Sequence, residues 1–108
     1  MAKNQDLMRG ISETVILKLL SERTMYGYEI IKMVNERTNG EFQWKEGTLY
    51  PCLHRLEEDG LIASSWEFST SKPRKYYALT KKGMIVVPER IEESRRFCVT
   101  LGVLLANA

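Results

Sequence analysis

Gly47-Thr48-Leu49-Tyr50-Pro51-Cys52-Leu53-His54-Arg55-Leu56-Glu57-Glu58-Asp59-Gly60 is the stretch that decides the fold. Leu49, Cys52, Leu53 and Leu56 recur at i, i+3, i+4 and i+7, so a helix here carries one buried stripe. Thr48, Pro51, His54, Arg55 and Glu58 fall on the other side, with Tyr50 at its edge. Thr48 is the expected N-cap, which puts Pro51 in the first turn, where a missing N–H costs little. Gly60 supplies the left-handed stop. The outer face offers a hydroxyl, a phenol, an imidazole and a guanidinium, none of which a core requires. Such a helix suits recognition of a polar partner, although ordinary solvated helices carry similar groups.

Upstream, a first helix is expected from Gln5 to Glu22. Leu7, Ile11, Val15 and Leu19 recur every four residues, with Met8, Ile16 and Leu20 beside them. That apolar face is wide enough to cover the domain's core and also meet a second subunit. A second helix runs from Tyr26 to Arg37, with Ile30, Ile31 and Val34 inward, and ends at Asn39-Gly40. Gly27 in its first turn admits another backbone closely. Glu41 to Lys45 reads as a brief extended piece whose Phe42 and Trp44 cap the core.

Downstream, Leu61 to Phe68 reads as a strand with Ile62, Trp66 and Phe68 on one side. Ser69 to Pro73 forms a hairpin tip, and Arg74 to Leu79 is the returning strand. Lys72, Arg74 and Lys75 cluster at that tip, an arrangement suited to a phosphate backbone. Thr80 caps a last helix from Lys81 to about Leu105. There Met84, Ile91, Cys98 and Leu105 form one row of a heptad seam, and Val87, Ser94, Leu101 and Ala108 form the other. Pro88 is expected to kink this helix or separate off its first turn. The apolar surface exceeds what one helix buries alone. It reads either as a helix folded back on its own core or, preferentially, as a dimer seam. The interface residues are then Leu7, Ile11, Val87, Ile91, Phe97, Cys98, Leu101 and Leu105.

Composition narrows the function. A chain of 108 residues is one domain, and 44% hydrophobic with 28% charged residues is ordinary for a globular protein. A net charge of +2 permits nucleic-acid binding without arguing for it. One histidine and two cysteines without ligand spacing argue against a zinc site, and no cofactor is expected. No paired acids or glycine-rich phosphate loop support catalysis, so the chain is read as a non-enzyme. Cys52 lies beside Arg55 near a helix start. A buried inert thiol is the reading preferred over a redox switch there. The polar opening and the absence of a run of about 20 apolar residues lead to the expectation of a cytoplasmic protein with no membrane partner.

The order of elements is that of a winged helix-turn-helix domain, mainly α with a small two-stranded β wing, followed by a C-terminal dimerisation helix. With this plan, the sequence resembles the PadR family of bacterial transcription regulators, in the short subfamily carrying one C-terminal helix. Four motifs in order carry the resemblance: Tyr26-Gly27-Tyr28-Glu29-Ile30, Gly47-Thr48-Leu49-Tyr50-Pro51, Arg55-Leu56-Glu57-Glu58-Asp59-Gly60-Leu61-Ile62, and Pro73-Arg74-Lys75-Tyr76-Tyr77-Ala78-Leu79-Thr80. The chain departs from the family in having Lys45-Glu46 where a serine and a proline usually precede the second motif. It also lacks a tryptophan in the last helix.

The resemblance implies that residues 1–80 are the DNA-binding domain, with the first helix also reaching the dimer interface, and that 81–108 are the dimerisation helix. Thr48, Tyr50, His54 and Arg55 become candidates for base or phosphate contact in the major groove. Arg74 and Lys75 lie near the phosphate backbone with Lys72 further out, and Tyr28 braces the third helix or reaches a phosphate. The implied activity is repression from a palindromic double-stranded operator by a homodimer. An aromatic small molecule at the seam is a candidate effector, with Phe97 the nearest aromatic side chain. The alternative is a winged-helix adaptor that binds a protein or a ligand and has little DNA affinity.

Overall fold

The computed structural model describes residues 11–106. The chain runs α1 (Ser12–Leu20), β1 (Met25–Tyr26), α2 (Gly27–Arg37), α3 (Glu46–Glu58), β2 (Ile62–Glu67), β3 (Arg74–Leu79) and α4 (Lys81–Ala106). Leu7 and Ala108, and with them the expected start of the first helix, lie outside the described residues. The three helices α1 to α3 enclose one core in which Ile16, Leu17, Ile30, Leu49, Leu53, Leu56 and Ile62 are almost wholly buried. Leu49, Cys52, Leu53 and Leu56 do form the inner stripe of α3. Truncating any of its leucines to alanine costs on the order of 2–5 kcal/mol.

The expected two-stranded wing forms from β2 and β3, and a third strand joins it. Met25 and Tyr26 pair antiparallel with Tyr77 and Tyr76, so the sheet has three strands in the order β1-β3-β2. Two residues between helices are a weak strand signal, and the pairing is supplied by β3, far away in sequence. Behind it, Tyr26 meets Tyr76 edge-on with ring centroids 5.3 Å apart.

Three further expectations are resolved locally. α3 begins at Glu46 with Lys45 as its N-cap, so Thr48 is not the cap and Pro51 lies one turn deeper. Residues 41–45 make no strand pairing. Instead, the Trp44 N–H donates to Asn35 Oδ1 at 2.9 Å and the Phe42 N–H donates to Thr38 Oγ1 at 3.1 Å. Those bonds to α2 and its C-terminal turn hold Trp44 buried in the core, as a packing residue. Finally, α4 continues through Pro88, which does not separate off the first turn.

Both termini of the α3–wing unit are stopped and started by named groups. Gly60 has φ +76°, the left-handed conformation that ends α3. Thr80 starts α4: its Oγ1 accepts the Gly83 N–H at 3.0 Å and donates to the Gly60 carbonyl at 2.6 Å. Gly83 packs so closely that a Cβ there would collide with the Leu61 carbonyl. The first half of α4 is thereby laid along the domain. Beyond Ser94 every described residue of α4 is exposed, and the helix extends a molecule measuring 56 × 32 × 20 Å.

Candidate nucleic-acid interface

α3 and the wing present most of the expected contact residues on the surface. Tyr50, Pro51, His54, Arg55 and Glu58 are exposed along the outer side of α3, and Thr48 is half-buried. His54 Nε2 sits 3.4 Å from Glu58 Oε2, one turn on, with both side chains well exposed. That pair leaves the imidazole free to turn outward, since an exposed i,i+4 contact contributes little. Tyr50 is directed toward α2, where its hydroxyl occupies the space that a Cβ at Gly27 would need. Gly27 therefore accommodates a side chain, rather than the backbone expected from the sequence. Tyr28 is exposed on α2.

Arg55 is drawn inward along the surface. Its Nε donates to Glu13 Oε2 at 2.7 Å, and a terminal nitrogen approaches Cys52 Sγ at 3.3 Å. Cys52 itself is buried, and burial pushes its thiol above the ordinary range despite the guanidinium. The geometry accords with an unreactive thiol rather than an activated one. No signal within the α3 stretch identifies Glu13 as the partner, 42 residues away.

The wing cations divide between the two faces of the hairpin. Adjacent strand residues point to opposite sides. Arg74 lies 4.5 Å over the Tyr26 ring on one face, while Lys75 Nζ lies 5.9 Å from the Tyr77 ring centroid on the other. Lys72 is exposed beyond them. Tyr77 is buried, and desolvation, with Tyr50 and Glu57 nearby, raises its phenol above the ordinary value. It belongs to the scaffold between α3 and the wing. Among the described residues, no cluster of three or more metal-ligating side chains is present. No helix there is long and apolar enough to cross a membrane.

Trp66 and Phe68 lie beyond the part of the wing that the core covers. Ile62 is buried, but Trp66 is 57% and Phe68 68% exposed, because β2 runs past the edge of the core. The two rings stack on each other at 6.1 Å.

The expected dimer residues fall into two groups. Val87 is packed into the protomer's own core at 5% exposure, in line with Gly83 and Ile91 on the side of α4 that faces the domain. That burial leaves Val87 little surface to offer a partner. Ile91 and Ile11 are half-buried against the same core. Phe97, Leu101 and Leu105 are exposed, as is the Cys98 thiol. Between α1, α2 and α4 lies an apolar groove of about 390 Å³, lined by Ile11, Val15, Leu19, Val34, Phe42 and Ile91, with Lys18, Arg37 and Arg95 also around it. Phe97 does not line it.

Comparison with known proteins identifies this arrangement. Residues 16–89 match the model of the transcriptional regulator PadR-like family. An uncharacterized protein of Lysinibacillus sphaericus is 39% identical over 89 residues, 82% of each chain. The transcriptional regulator YqjI of Escherichia coli K12 is 35% identical over 84 residues, which are 78% of this chain but only 39% of that protein. Among solved structures, a PadR family transcriptional regulator from Eggerthella lenta superposes with a TM-score of 0.80 at 34% identity, covering 99% of this chain and 92% of that one. A transcriptional regulator from Clostridium thermocellum gives 0.77 at 34% identity, covering 95% and 98%. The family consists of DNA-binding regulators, not enzymes, and its model spans both α3 and the wing. This chain belongs to the PadR-like family of transcriptional regulators.

Proposed function

We propose that the protein is a cytoplasmic repressor that binds a palindromic operator as a homodimer. The observation that carries this reading is the exposed outer face of α3 beside a hairpin bearing Lys72, Arg74 and Lys75. Thr48, Tyr50 and His54 read base edges or position the helix in the major groove. Lys72, Arg74 and Lys75 meet phosphates, and Tyr28 reaches the backbone from α2. These phosphate contacts supply the salt-dependent, sequence-independent share of the affinity. Arg55 acts at the edge of this surface while holding Glu13.

The homodimer forms through the exposed apolar end of α4, including Phe97, Cys98, Leu101 and Leu105. The Ile11 side of the first helix meets the partner. A flat apolar effector at this seam, near Phe97 or in the adjoining groove, changes the separation of the two α3 helices. A coupling of about 1–3 kcal/mol is enough to alter occupancy five- to a hundred-fold.

Fluorescence anisotropy with duplex tiles from the region upstream of the protein's own gene tests this reading, at two salt concentrations and against a scrambled duplex. One tile saturating far more tightly than the scramble, with two subunits per duplex, supports a dimeric regulator. Equal, weak binding to tiles from that region and from a genome-wide selection would favour a winged-helix adaptor.

A further inference from the structure

We infer that Trp66 and Phe68 form an apolar wedge that seats in the minor groove of the duplex bound by α3, an inference that rests on the DNA-binding reading above. The pair is stacked, with ring planes 25° apart, and is solvent-exposed within the described protein. Alternate residues of a strand share a face, so Ile62, Ser64 and Trp66 lie along one side of β2, and Phe68, just past its end, stacks on Trp66. Ser64 Oγ donates to Glu57 Oε2 at 2.6 Å, which fixes that side against α3. The aromatic pair thus continues outward from the recognition helix on the face that the helix itself meets.

Reach and charge agree with a groove as the occupant. Phe68 is four residues beyond Ser64, roughly 13 Å of extended strand. Adjacent major and minor grooves are offset by about half a helical turn, ~17 Å. Trp66 stands opposite Lys75 in the strand register, so a cation accompanies the rings on the same side. Lys72 is exposed at the tip, and Arg74 lies on the opposite face over Tyr26. Glu67, the hairpin's carboxylate, points to the other face and is occupied by the Ser69 N–H at 2.9 Å. An apolar pair with a cation on its own face matches a duplex, whose minor-groove walls are deoxyribose and whose rims are phosphates. Apolar side chains inserted between base steps are an established way to bend DNA toward a protein.

The protein's two tryptophans make the test direct, because Trp44 is buried and Trp66 is exposed. Acrylamide quenching of the full chain therefore reports mainly Trp66. The probe is a mixed-sequence duplex at low salt, compared between wild type and the double variant Trp66→Ala with Phe68→Ala. The wedge predicts that duplex protects Trp66 from quencher and that the variant binds about tenfold more weakly, with an unchanged salt slope. Wild type that binds while Trp66 stays fully quenchable, or a variant that binds as tightly as wild type, overturns the wedge and leaves the DNA reading intact. Wild type that binds no duplex at low salt overturns both.

Discussion

Arg55 on α3 donates through Nε to Glu13 Oε2 on α1 at 2.7 Å, and Arg90 on α4 approaches the other oxygen of the same carboxylate at 3.9 Å. One glutamate thus stands between α3 and the helix that carries the apolar end. Arg55→Ala and Glu13→Gln each remove the α1–α3 tie, so their effects on thermal stability should overlap. The expected result is a double variant that melts above the temperature obtained by adding the two single losses. Strict additivity would show that the pair is not coupled.

Two glycines separate packing from partner contact. Gly83 lies against the Leu61 carbonyl, and Gly83→Ala should destabilise the fold by about 1–3 kcal/mol in denaturant unfolding. Gly47, in the first turn of α3, has no non-neighbouring atom within 4 Å of an added Cβ. Gly47→Ala should therefore stabilise the free protein by up to about 1 kcal/mol, through helix propensity alone. If DNA approaches this backbone closely, the same change weakens duplex binding. A variant gaining stability and keeping full affinity would place Gly47 away from the duplex.

Glu22 carries the acid sensitivity of the α1–α2 junction. Arg37 binds it through two nitrogens at 2.6 and 2.9 Å, and Lys18 adds a contact at 3.3 Å. The Arg37 hydrogen bonds lead in drawing its carboxyl down from 4.5 to about 2. A depressed folded-state value favours folding above the ordinary carboxylate value, and the benefit is lost as pH falls through about 2. The melting-temperature difference between wild type and Glu22→Gln should be constant at neutral pH and shrink below about 4.5. A difference independent of pH would mean that the charge is not what stabilises the junction.

Leu101 tests the seam. It is 41% exposed on the stretch of α4 beyond Ser94, where every described residue is exposed. Leu101→Asp should leave the protomer folded by circular dichroism and give monomers by light scattering. A dimer of unchanged stability would place the interface elsewhere.

The sequence was most informative where one residue type serves one local purpose. The leucine stripe of α3, the Gly60 stop and the Thr80 cap were all legible, since periodicity and capping act over a few residues. It was least informative where the partner is distant. Nothing near Met25-Tyr26 announces pairing with β3, and nothing near Arg55 points to Glu13. The α4 heptad shows a further limit. Val87 and Leu101 occupy equivalent positions in the pattern, yet Val87 is buried in the protomer and Leu101 is exposed. A seven-residue repeat records that a face is apolar, without recording which partner covers it.

Selection of duplexes from a random-sequence pool by the purified full chain tests the central claim most directly. The account predicts enrichment of a palindrome whose half-sites lie about 10 base pairs apart, centre to centre, bound by two subunits. A pool that remains unenriched after repeated selection, or one enriched only in single non-palindromic sites bound by one subunit, would contradict a dimeric operator-binding repressor.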